Sequence, residues 1–141
     1  MSERPITAIE FEERLAALCL GGAGFAFPRR RRDRHILYRS IVQTLDVTKN
    51  YTEPGLNAAL QQWLSDVGAG MDMDHVTLRR YLIDEIYLLR EANGSAYSVN
   101  LNGRGHVEFE EAIASIDSSA VIESAKSLVA ARKQQHANTK L

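Results

Sequence analysis

A single cysteine, Cys19, stands among 141 residues, so no intrachain disulfide can form and no Cys/His zinc spacing exists. No apolar run approaches the roughly 20 residues that span a bilayer. Met1-Ser2-Glu3-Arg4-Pro5 is polar and lacks the apolar centre of a signal peptide. The expectation is a cytoplasmic protein with no membrane partner. Charge of one sign is missing too: 17 basic and 18 acidic groups leave a net −1. The global field therefore selects no partner, and a nucleic-acid binder would need a local basic patch. No serine sits in a nucleophile elbow, no carboxylate pair stands out, and Cys19 has no histidine near it in sequence. His35, His106 and His136 have no partner at ligand spacing. His75 with Asp72 and Asp74 is the one cluster that resembles a metal site, and the same residues at a helix start read as capping and turn chemistry. The expectations are no enzyme, no metal, no cofactor and no small-molecule ligand. The sequons Asn50-Tyr51-Thr52 and Asn93-Gly94-Ser95 are then coincidental.

What is present is apolar periodicity with clear punctuation. At 45% hydrophobic, a chain of this length can bury its own core as one domain. Thr7 predicts a helix N-cap, with Glu10 reaching back to it and Ile6 stapled on Phe11. Phe11, Leu15 and Leu18 continue that helix to Gly21-Gly22. Gly21-Gly22-Ala23-Gly24 follows a helix rather than a strand and lacks the third glycine of a phosphate-binding turn, so it reads as a flexible joint. Phe25 and Phe27 can anchor this linker ahead of Pro28.

From Pro28 to Asp46, six arginines (Arg29, Arg30, Arg31, Arg32, Arg34 and Arg39) against two aspartates leave +4 over 19 residues. Ile36, Leu37, Ile41, Val42 and Leu45 make this an amphipathic helix. Arginines at a helix start oppose its dipole, at roughly 0.3–1 kcal/mol each when exposed. They form either a solvated face or a seat for phosphate or carboxylate.

The stretch from Tyr51 to Val99 organises the rest. Lys49-Asn50-Tyr51 is short and extended, Thr52 caps a helix, and Glu53 and Pro54 suit its first turn. Leu56, Leu60, Trp63, Leu64 and Val67 form its apolar stripe, and Gly68-Ala69-Gly70 stops it. Asp74 caps the next helix, in which Val76, Leu78, Leu82, Ile83 and Ile86 are expected to face inward. Tyr87 to Glu91 and Ala96 to Val99 flank Asn93-Gly94, a hairpin signal. Strand, helix, helix, hairpin is the winged helix-turn-helix order.

Beyond Val99, Asn100 to Gly105 is a loop. Val107 to Ile116 suggests a short helix, with Val107 to Phe109 readable as strand. A longer helix starts at Asp117 or Ser118 with Val121, Ile122, Ala125, Leu128 and Val129 on one face. Glu108 to Glu123 holds five acids and no base. This last helix either packs back on the first or meets its copy in a homodimer.

Pro28 with its arginines and Ile36-Leu37, Tyr51-Thr52-Glu53 with Asn57 and Leu60, Leu78-Arg79-Arg80-Tyr81-Leu82-Ile83-Asp84, and Arg90 and Gly94 with Tyr97 together resemble a bacterial domain-of-unknown-function family, the one numbered 2087. The resemblance covers residues 28–99, about half the chain, and the Leu-Arg-Arg block is its most specific part. It implies a winged-helix-like module, in some members fused behind transcription-regulator domains, and brings no activity. Three features depart from the pattern: Pro54-Gly55 replaces helix formers, the joint from Gly68 to Met73 is longer, and Ile86 stands where a glycine commonly ends the second helix.

The expected fold is α+β and predominantly helical. A winged helix-turn-helix core (28–99) follows an N-terminal helix and linker (1–27) and precedes a C-terminal helical extension (100–141), all in one domain. The leading functional expectation is a DNA-binding or transcription-associated module. Arg79, Arg80 and Thr77 would lie on the recognition helix, with Arg29, Arg30, Arg31, Arg32 and Arg34 on phosphates of double-stranded DNA. Alternatively Arg79 and Arg80 pair with Asp84 or Glu85 along their own helix, and the winged helix is a scaffold for protein interaction or dimerisation. The near-neutral charge and the acidic piece favour the alternative; the arginine concentration favours DNA.

Overall fold

A computed structural model describes residues 3–21, 26–103 and 105–139. The proposed ends of the glycine joint (Gly22 to Gly24) and the anchor Phe25 lie outside the described residues, as does Arg104. Among the described residues, five α-helices and one hairpin follow in order: α1 (Ala8–Cys19), α2 (Arg31–Val42), α3 (Glu53–Ser65), α4 (His75–Asp84), β1 (Leu88–Arg90), β2 (Tyr97–Val99), a 3₁₀ turn (Glu111–Ser115) and α5 (Ser118–Thr139). The architecture is α+β and mainly helical, with the winged-helix order running from α2 through β2.

The caps form where the sequence places them. Thr7 accepts from the Glu10 N–H at 3.1 Å, Thr52 from Gly55 at 3.2 Å and Asp74 from Thr77 at 2.7 Å. Asp117 starts α5 by accepting from Ser119 and Ala120. Ile6 and Phe11 are both fully buried, as a staple requires. One detail differs: Glu10 does not reach back to complete a capping box. Its carboxylate is turned to Arg32, and Ala8 N–H is satisfied by Glu110 at 3.2 Å.

Helix α2 is amphipathic, with its arginines outward, and its buried face is broader than the apolar residues alone. Besides Ile36, Leu37, Ile41 and Val42, it buries Asp33, His35, Tyr38 and Ser40. Each of these four side chains finds a partner, as burial demands, whereas the buried Nε of Arg34 on the same helix has none among the described residues. Arg14 grips Asp33 with two bonds of 3.0 Å. Ser40 accepts from the Trp63 indole at 3.0 Å and donates to Ser118 at 2.7 Å, tying α2 to α3 and to the start of α5. His35 Nδ1 lies 2.6 Å from the Tyr87 hydroxyl, and the His106 ring stacks on Tyr87 at 3.8 Å. His106 accepts the Gly103 N–H at Nδ1 and faces the Glu85 carbonyl with Nε2 at 2.7 Å. A carbonyl accepts only, so Nε2 carries the proton. These histidines hold the base of the hairpin on α2.

The hairpin pairs Leu88 with Val99, Leu89 with Ser98 and Arg90 with Tyr97, and Tyr51 adds a third, one-residue strand by exchanging both backbone bonds with Tyr97. Its turn is not the two-residue type that Asn-Gly suggests. Glu91 accepts from Gly94, and only Gly94 of the pair has positive φ (72°). That is a type I turn closed by a left-handed glycine inside a longer loop. Phe109 bridges Ile6 before the 3₁₀ turn, so the segment after Val107 is extended first and helical second.

At the end of α4, Ile83 accepts from the Ile86 N–H and Leu82 from the Tyr87 N–H, the two bonds of a Schellman closure. The closure puts Ile86 at φ 61°, a conformation that costs a β-branched residue about 1–2 kcal/mol. Glycine at that position would remove the strain. Ile86 is 41% exposed, so little packing would be lost. Ile86→Gly should therefore stabilise the protein by about 1 kcal/mol, a rise of about 3 °C in melting temperature. Ile86→Ala, still left-handed, should not stabilise. Val76 is also open, at 43% exposure. Leu78 and Leu82 alone set the fully buried edge of α4, which corrects the inward placement of Val76 and Ile86.

Candidate nucleic-acid interface

The outer side of α4 faces the hairpin across a groove of about 260 Å³. Arg79 and Arg80 enter it from α4, Arg90 and Tyr97 from the hairpin, and Glu53 from the first turn of α3. Asp84, Val76 and Ile83 complete the lining. Strand alternation explains the hairpin's share, because Arg90 and Tyr97 are directly paired and so lie on one sheet face. Gly94 makes the placement possible: a Cβ there would sit 2.7 Å from Arg90 Nη2.

The three guanidinium groups are not equivalent. Arg79 is held, bonding Asn57 at 2.5 Å and Glu53 at 3.2 Å with its side chain 16% exposed. Glu53 and Asn57 are four residues apart on α3, so one helix face presents both acceptors. The guanidinium carbons of Arg79 and Arg90 each lie 5.9 Å from the centre of the Tyr97 ring, within cation–π range. Arg80 is exposed, with no ion pair or hydrogen bond among the described residues. Thr77 lies half-buried one turn from the start of α4. Neither Asp84 nor Glu85 pairs with Arg79 or Arg80 among the described residues, which corrects that alternative.

None of Arg29 to Arg34 lines this groove. Arg31 bonds Glu3 at 2.9 Å and the carbonyl of Gly105. Arg32 meets Glu10 at 2.6 and 2.9 Å and the Arg4 carbonyl at 2.7 Å, and the guanidinium holds the Glu10 carboxyl below its ordinary range. Arg34 reaches the Tyr38 hydroxyl at 3.2 Å and Glu85 at 3.7 Å, over the rings of Phe27 and Tyr81. This segment is therefore neither a solvated face nor a single anion seat. Only Arg29 and Arg30 are exposed without an ion partner among the described residues.

The acidic cluster near α4 is capping chemistry: Asp74 holds the helix start, and His75 lies 3.3 Å from Gln61. Burial pushes the Cys19 thiol up to about 12, which makes it unreactive. Arg90, Glu53 and Asn57 were not singled out for the site by periodicity or charge runs. The readable signals were the i, i+4 spacing of Glu53 and Asn57 and the strand parity of Arg90 with Leu88.

A helix pair with a hairpin closing one side of its second helix defines a winged-helix module. The family model described as "Uncharacterized protein conserved in bacteria (DUF2087)" matches residues 25–99, and the chain belongs to that family. No curated protein and no solved structure matches it. No helix among the described residues is long and apolar enough to cross a membrane.

Proposed function

We propose that the chain is a double-stranded DNA-binding module that places α4 and the hairpin against the duplex. The supporting observation is the convergence of Arg79, Arg80 and Arg90 on one groove whose two carboxylates are Glu53, already engaged by Arg79, and Asp84. In this reading Arg80 and Arg90 contact phosphates and Arg79 orients Tyr97, while Thr77, outside the arginine groove beside Met71 to Asp74, adds a hydroxyl near the start of the recognition helix. Arg29 and Arg30 add charge at a separate point.

The test is binding to random-sequence duplex across a salt series. Two phosphate contacts give a slope of about −1.8 in log affinity against log salt, roughly a tenfold loss between about 50 and 200 mM. Arg80→Ala with Arg90→Ala should remove that slope and leave thermal stability unchanged, since neither side chain holds the core. Absence of duplex binding at low salt would overturn the reading.

A second reading, a protein-interaction surface, is favoured by the apolar share of the same face. Val76 is exposed and Ile83 half-buried in the lining beside the arginines, and Arg31, Arg32 and Arg34 are matched internally.

A further inference from the structure

Helix α5 runs for 22 residues, about 33 Å at 1.5 Å per residue. Its first two turns pack against α1 and bury Ser118 and Ile122. From Lys126 to Asn138 every residue is exposed. A lone helix of that length is marginal in water, and this one carries Leu128 (54% exposed) and Val129 (42%) in the open. It also carries Arg132 and Lys133, and Lys126 paired with Glu123 one turn back, with no acid between Ser124 and Asn138.

Beside it, between α1 and the start of α5, lies a groove of about 480 Å³. Glu12, Glu13 and Asp117 rim it, and Ala16, Ile116 and Val121 floor it. The basic, apolar half of α5 thus complements an acidic, apolar groove at the other end of the same helix. A continuous helix cannot fold back into its own groove.

We propose that two copies of the chain associate antiparallel through α5, the exposed half of each helix lying in the α1–α5 groove of the other. Asp117, Val121, Ser124, Leu128 and Arg132 recur at spacings of three and four, which is one helix stripe. A two-fold axis between Ser124 and Ala125 sets Val121 against Leu128 of the partner subunit. The same axis sets Asp117 against Arg132 of the partner subunit, and the small Ser124 and Ala125 lie at the crossing. The contact is isologous and closes at two copies. It does not depend on what α4 binds.

Sedimentation equilibrium of the intact chain should give about twice 15.7 kDa, falling towards one chain on dilution. Leu128→Glu, at a position exposed in the single chain, should give one chain at all concentrations with its unfolding temperature at dilution unchanged. Ser124→Cys should form an intermolecular disulfide under mild oxidation, whereas Ala130→Cys, on the opposite side of the helix, should not. A single-chain mass at millimolar concentration would overturn the proposal. So would a Leu128→Glu dimer, or equal crosslinking at the two cysteine positions.

Discussion

Gly68→Ala should cost about 2–3 kcal/mol of stability, a large effect for the addition of one methyl group. A Cβ on Gly68 would fall 2.4 Å from Cζ3 and 2.9 Å from Cε3 of Trp63, closer than packed carbons approach. The ring has nowhere to go. Trp63 is 2% exposed, and its indole N–H donates to the buried Ser40 hydroxyl, so any tilt that clears the methyl group breaks that bond. Trp63 is the only tryptophan, and its fluorescence reports the displacement directly. A double-mutant cycle separates this clash from a backbone effect. Phenylalanine lacks the second ring, so the alanine should cost distinctly less in a Trp63→Phe background. Equal costs in both backgrounds would mean that the backbone, not the ring, demands glycine.

Acid should destabilise the protein well before its carboxylates protonate. His35 is 2% exposed, and burial, with Arg31 and then His106 nearby, pushes its imidazole down to about 4 from an ordinary 6.5. Glu3 opposes that shift and Arg34 adds to it. The unfolded chain takes up a proton near pH 6.5, whereas the folded one does so only near 4. The associated stability is therefore complete above pH 6.5 and is lost as pH falls towards 4, by about 3 kcal/mol in all. Glu10, whose carboxyl is held below 4.5 by Arg32, adds to the loss only below that value. Urea unfolding at several pH values between 7 and 4.5 isolates the histidine. His35→Gln can keep a bond to Tyr87 without titrating, and it should flatten the dependence in that window. An unchanged slope would place the effect elsewhere.

Local signals in the sequence were largely sufficient for the elements. Thr7, Thr52, Asp74 and Asp117 cap helices because a side-chain oxygen needs only an N–H two or three residues away. The partners of the arginines were not legible, because they are distant in the chain: Glu3 and Glu10 for Arg31 and Arg32, Glu85 for Arg34, Glu53 for Arg79. A run of charge announces its sign but not its neighbours. The breadth of the buried face of α2 was hidden for a related reason. Its polar residues, Asp33, His35 and Ser40, look solvent-facing until Arg14, Tyr87 and Trp63 arrive to satisfy them. The hairpin turn shows a third kind of limit: Asn-Gly marked the place, while the Glu91–Gly94 bond chose the geometry.

The internal matching of Arg31 and Arg32 has a practical corollary. Their counter-ions, Glu3 and Glu10, and the Asp33 clamp Arg14 all precede residue 25, where the family match begins. A fragment cut at that boundary would unmask two guanidinium groups and strand a carboxylate in the interior. It would cling to polyanions through arginines that the intact chain keeps paired, and its affinity for nucleic acid would say nothing about α4.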